Sequence, residues 1–161
     1  MKKTILLSIL VVVVQLANGL IAEPQQPARI PRIGILVGSS ASLNSARVEA
    51  FRQRLRERGF VEGKNIFIEY RYAEGKLERL PDLAAELVRL KVDVIVASAP
   101  ADILAAKKAS ATIPIVFAAA GDPVGSGLVS SLARPGGNIT GLSTMAPDLD
   151  GKRLELLKEA F

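Results

Sequence analysis

Apolar residues in this chain fall into short continuous runs and helically spaced sets, in alternation, with Gly, Ser, Asn or Pro between them. Arg32 to Val37 (RIGILV) is a run of mostly branched residues ended by Gly38-Ser39-Ser40, the pattern of a strand covered on both faces. Over Leu43 to Arg58 the spacing becomes helical. Val48, Phe51 and Leu55 share a face, Arg47, Arg52, Arg54, Arg56 and Arg58 lie mostly elsewhere, Ser42 or Asn44 is placed to cap, and Gly59 to stop. Asn65 to Tyr70 predicts a second strand, and Leu77, Leu80, Leu83, Leu87 and Leu90 a second helix that tolerates Pro81 in its first turn. Val92 to Ala97 predicts a third strand, Ala101 to Ala109 an Ala-rich helix, and Pro114 to Ala118 a fourth strand. Val124 to Leu132 is weakly helical, since Gly125 and Gly127 oppose it. Asn138 to Leu142 predicts a fifth strand and Leu149 to Ala160 a last amphipathic helix.

Strand then helix, repeated, predicts an α/β fold: a doubly wound, parallel five-stranded sheet with helices on both faces. In such sheets ligands bind beyond the carboxyl ends of the strands, where strand order reverses. That rule selects Gly38–Ser42, Ser98–Asp102, Ala119–Val124 and Asn138–Ser143. Small residues there let backbone amides approach a ligand, and helix N-termini favour an anion such as a carboxylate. The candidate ligand contacts are Ser39, Ser40, Ser98, Ala99, Pro100, Gly121, Asp122 and Thr140, with Asp122 as partner for a ligand ammonium. The outline suits a small zwitterion or polar metabolite.

Several of these residues also have a plainer reading. Asp122-Pro123 is a turn signal in which Asp caps the helical stretch expected from Val124, Ser98 is a candidate N-cap, and Ser39 and Ser40 are ordinary turn residues. Asn138-Ile139-Thr140 matches a short glycosylation sequon that arises often by chance. The Arg-rich face of the first helix is interleaved with Glu49 and Glu57 and reads as a solvated surface.

Chemistry-bearing patterns do not occur. The chain holds no G-x-x-x-x-G-K-[ST], no G-x-G-x-x-G and no G-x-S-x-G. With no His and no Cys, the commonest general base, thiolate nucleophiles and thiolate metal sites are gone, and disulfides with them. These observations predict no catalytic residues, no metal and no cofactor. The formal charge of +5 falls to nearer +3 without Lys2 and Lys3, and no basic run is interleaved with aromatics, which disfavours nucleic acid.

Residues 1–22 read as a secretory signal peptide: Lys2 and Lys3, then the apolar run Ile5 to Leu16, then small residues at Ala17, Gly19 and Ala22. The apolar run is shorter than the roughly 20 residues that span a bilayer, which sets cleavage above an uncleaved anchor. Residues 23–31 are a polar, Pro-rich mature tail, and export without Cys fits a periplasm.

Several longer stretches resemble a known family. Phe51 to Tyr70 (FRQRLRERGFVEGKNIFIEY), Leu80 to Val96 (LPDLAAELVRLKVDVIV), Ile113 to Val124 (IPIVFAAAGDPV), Gly127 to Leu142 (GLVSSLARPGGNITGL) and Gly151 to Glu159 (GKRLELLKE) are similar to ABC-transporter substrate-binding proteins whose better-known members bind tryptophan or tyrosine. The resemblance implies a type I periplasmic-binding-protein-like lobe, and a role in delivering a small solute to an inner-membrane ABC permease. It implies two lobes that close around the ligand, with residues 32–145 as the N-terminal lobe and 146–161 as the start of a truncated second lobe. The lobe is expected to be monomeric. Two other classes stay open: a ligand-sensing regulatory domain of the same fold, which an export signal argues against, and a doubly wound enzyme, which lacks a cofactor fingerprint. A non-functional truncated fragment is a further alternative.

Overall fold

The computed structural model describes residues 29–144 and 146–160, and the side-chain surroundings of 29–144 and 151–160. The expected signal segment lies outside the described residues.

The elements run β1 (Arg32–Val37), α1 (Ala41–Glu57), β2 (Phe67–Tyr72), a single 3-10 turn (Leu77–Arg79), α2 (Leu80–Arg89), β3 (Val94–Ala97), α3 (Pro100–Ala109), β4 (Ile115–Ala120), β5 (Ile139–Ser143) and α4 (Ala146–Glu159). The five strands form one sheet in the order β2-β1-β3-β4-β5, with every neighbouring pair parallel. The chain builds outward from β1 in one direction to β2, then returns across β1 to β3 and continues the other way. The topological switch therefore lies between β1 and β3.

Register sorts the strand residues onto two faces. Gly34 stands level with Ile95, Ile115 and Ile139, and Leu36 with Ala97, Phe117 and Gly141. The side chains of these two rows meet Leu80, Leu83, Ala84 and Leu87 of α2 and Ile103, Ala105 and Ala106 of α3 in one buried core. The helical spacing of those Leu and Ala residues is what makes α2 and α3 fit there. On the opposite face, α1 lies over β1 and β2. Its Arg52 donates to the Tyr70 hydroxyl at 3.0 Å, stacks over the Tyr70 ring and pairs with Glu62 at 2.8 Å.

Helices thus flank both faces, as expected, but α1 covers the second face only over β1 and β2. Val116 of β4 and Thr140 and Leu142 of β5 are exposed, Leu142 by 71%. The expected helix over Val124–Leu132 does not form, so β4 passes to β5 through turns. Gly127 takes a left-handed φ of 69°. The Pro123 carbonyl accepts from both the Leu128 and Val129 amides, and the Lys107 ammonium binds the Gly127 and Leu128 carbonyls. Backbone groups engaged in this way cannot form a helical ladder. Other shifts are small: β2 begins and ends two residues later than expected, and β4 runs on through Ala120.

Candidate functional site

The carboxyl ends of β1, β3 and β4 carry seven of the eight sequence candidates onto one rim. Ser39 and Ser40 follow β1, Ser98, Ala99 and Pro100 follow β3, and Gly121 and Asp122 follow β4. The first two groups flank the switch point itself.

Local hydrogen bonding decides what each residue has left to offer. Ser40, not Ser42 or Asn44, is the N-cap of α1: its Oγ accepts from the Leu43 amide at 3.4 Å. Asn44 is instead buried and locks the crossover, its Nδ2 donating to Ser39 Oγ at 2.7 Å and to the Ser40 carbonyl at 2.8 Å. Ser98 is half-buried and its hydroxyl bonds to no described residue, so it remains available. Gly121 faces open space. Asp122 is exposed, but its Oδ1 accepts from the Gly125 amide at 2.7 Å, so the plainer turn-capping role is real.

Thr140 does not belong to this rim. It is the second residue of β5, paired with Val116 near the start of β4. The segment Asn138–Ser143 is the strand itself rather than the loop beyond its carboxyl end. Asn138 sits at the opposite edge, its Nδ2 donating to the Ser110 and Ile113 carbonyls at 3.0 and 2.6 Å. Its amide nitrogen is thus a structural tie. The end of β5 that reaches the rim is Ser143-Thr144, with the Thr144 amide bonded to the Ala120 carbonyl at 2.9 Å.

Glu74, which the sequence reading did not select, and Asp102, which it placed at the end of a selected segment but not among the ligand contacts, occupy the helix N-termini expected to hold an anion. After β2, Glu74 and Gly75 take φ of 55° and 80°. That reversal brings Glu74 Oε1 to the Ala41 amide, 3.3 Å away in the first turn of α1. At α3, Asp102 Oδ2 accepts from the Ala99 amide at 3.2 Å. Both carboxylates complement the helix dipoles from within the chain. Exposed Glu74 and Asp122 therefore give the rim negative charge of its own beside the free Ser98 hydroxyl, which suits the cationic end of a zwitterion better than its carboxylate.

Beneath α1, next to the switch point, lies a largely apolar cavity of about 130 Å³. Val48 and Phe51 of α1, Val96 and Ala118 of the sheet, and the polar Asn44 and Ser98 are among its walls. No group of three or more metal-ligating side chains occurs among the described residues, and no helix among them is long and apolar enough to cross a membrane.

Residues 32–161 match the family model described as ABC transporter substrate binding protein. The chain belongs to that family. It is 38% identical over 117 residues to a tyrosine-binding protein of Clostridioides difficile (strain R20291), a match that takes in 73% of this chain and 33% of that protein. Among solved structures, a conserved domain protein from Vibrio cholerae shares 34% identity at a TM-score of 0.71, over 81% of this chain and 44% of that one. A ligand-free, open structure of a substrate binding protein with adhesive properties from Clostridium difficile shares 32% identity at a TM-score of 0.66, over 80% and 43%. An ABC domain in complex with L-Trp from Streptococcus pneumoniae shares 28% identity at a TM-score of 0.64, over 70% and 38%. The chain thus spans a third of the curated relative and less than half of each of these solved chains. The curated relative is named for binding tyrosine, and the Streptococcus pneumoniae structure is a complex with L-Trp.

Proposed function

We propose that residues 32–145 form the N-terminal ligand-binding lobe of a periplasmic solute receptor that serves an inner-membrane ABC permease. Residues 1–22 act as its export signal, and α4 leads toward a second lobe. The ligand is an aromatic amino acid, captured reversibly and left chemically unchanged. The observation that carries this reading is the gathering of Ser39, Ser40, Ser98, Ala99 and Gly121 along one rim at the switch point, in a chain of this family. The acidic groups Glu74 and Asp122 on that rim favour the ligand's ammonium. Contacts from this rim alone enclose only one side of a ligand, so affinity for the lobe by itself is weak, because closure supplies the other half of the contacts.

Amide chemical shifts test the reading on the isolated chain, where weak binding is still visible. Titration with L-tyrosine and with L-tryptophan is expected to move the amides of Ser39, Ser98 and Gly121. Movement confined to the opposite edge, around Arg32 and Asn138, or no movement with either amino acid, would overturn it.

A further inference from the structure

Asp102 is the one carboxylate among the described residues that is fully enclosed: it is 1% exposed, in the first turn of α3. Its Oδ2 accepts from the Ala99 amide, while Oδ1 is buried with no hydrogen-bond partner. Ala99 has no side-chain acceptor, so only the reverse half of a capping box forms. A surface Asp in the first turn would satisfy the same dipole without burial, and an enclosed, half-satisfied carboxylate costs stability.

The orphan oxygen points at the other crossover. A Cβ on Gly38 would stand 2.8 Å from Asp102 Oδ1 and 2.9 Å from a Leu77 methyl. Gly38 follows β1 and precedes the rim residues Ser39 and Ser40, and it is buried. Only a residue without a side chain lets the β1 crossover come this close to α3. Gly38 in turn holds the third crossover, since its carbonyl accepts from the Gly75 amide at 2.8 Å. Burial pushes the Asp102 carboxyl above the usual aspartate range, opposed first by the Ala99 amide that bonds it, then by the amides of Gly38 and Ser98, which stand nearby without reaching hydrogen-bond geometry. Those amides belong to the two loops that flank the switch point. The charged side chains on the neighbouring elements are Glu74, Lys76, Glu78 and Arg79 around Leu77, Asp82, Glu86 and Arg89 on α2, and Lys107 and Lys108 at the far end of α3. None contributes to the shift.

We infer that Asp102 is a positioning residue that couples the β1 crossover to the β3 crossover, setting the spacing of the two ligand-bearing loops from behind the rim. It does not touch ligand, because its free oxygen is sealed from solvent. The inference rests on the rim being the ligand site, but the coupling itself is measurable without ligand.

Acid titration of the labelled chain, followed at the Asp102 carboxyl carbon and at the amides of Gly38, Ser98 and Ala99, tests it. The expected result is one shared midpoint, above the ordinary aspartate value, at the carboxyl and in both loops. In Asp102→Asn the shared step disappears from the amides while the rest of the spectrum keeps its dispersion. A step at Asp102 and Ala99 with a flat Gly38 amide would reduce Asp102 to a helix cap and overturn the inference. Ligand titration then separates the two readings. Asp102→Ala is expected to weaken L-tyrosine or L-tryptophan binding about tenfold, the worth of one charge-assisted hydrogen bond, and Asp102→Asn, which keeps an acceptor for Ala99, by less. A shared midpoint in a chain that binds neither amino acid would overturn the ligand reading and leave the coupling standing. Unchanged affinity in both variants, in a chain that does bind, would overturn the positioning role.

Discussion

Gly34 and Leu87 form a pair whose energies should not add. Gly34 lies in β1 directly under Leu87 of α2, which is fully buried, and a Cβ at Gly34 would stand 3.0 Å from both Leu87 methyls. Leu87→Ala removes a side chain from the centre of the core and is expected to cost about 2–5 kcal/mol. Gly34→Ala gains about 0.4–1 kcal/mol by restricting the unfolded chain, but forcing the Leu87 methyls aside costs about 1–3 kcal/mol. The net result is a modest loss. In the Leu87→Ala background the obstruction is gone and the new methyl fills part of the hole. There Gly34→Ala should be neutral or stabilising. The coupling energy of the cycle is then about 1–2 kcal/mol, above the few tenths expected of independent sites. Guanidinium unfolding of the four proteins, followed by circular dichroism with the denaturant slope unchanged, measures it. Additivity within about 0.5 kcal/mol would refute the argument that Leu87 occupies the space Gly34 leaves open.

Packing and burial elsewhere in the sheet set two further outcomes. Gly141 stands opposite Phe117, and a Cβ there would run into both the carbonyl and the ring of Phe117. Gly141→Ala is therefore expected to destabilise more than Gly34→Ala and to disrupt the β4–β5 pairing, seen as faster hydrogen exchange at the Ile115 amide, which donates to the Asn138 carbonyl; unchanged exchange would contradict this. Tyr70 and Tyr72 are the only tyrosines and the chain has no Trp, so phenolate absorbance reports on those two alone. Both titrate above the ordinary value, chiefly because burial disfavours the phenolate, while the Arg52 charge pulls Tyr70 down. Arg52→Gln should raise the Tyr70 midpoint further, and a lowered midpoint would contradict that. Since each folded-state value lies above the unfolded one, the stability these groups contribute is complete below the unfolded pKa of about 10 and is lost as pH rises through the folded value.

Part of this protein is written in the order of its residues. The continuous run RIGILV gives β1 to the residue, and the Leu spacing of α2 and the Ala-rich α3 show which faces must be buried. Periodicity is local, so it survives without knowledge of the partner. Strand order is constrained by the same information, because parallel strands need crossovers and crossovers have one hand. Most of the rim is legible for that reason: it is simply where strands end, and Ser39, Ser98 and Gly121 are found by counting to those ends.

The assembled fold decides everything set by distance between segments remote in sequence. Thr140 falls away from the rim because β5 enters the sheet at Ile139, a register fixed by pairing with β4 and by the Asn138 tie to Ser110 and Ile113. The helix expected after Pro123 is lost to bonds with Lys107, which no local pattern announces. Glu74 and Asp102 look like ordinary surface acids in the sequence. Only folding brings one to the start of α1 across 33 residues, and seals the other against a glycine 64 positions away. Local backbone preference is carried by each residue, whereas burial, register and electrostatic partnership belong to neighbours that the chain acquires when the sheet closes.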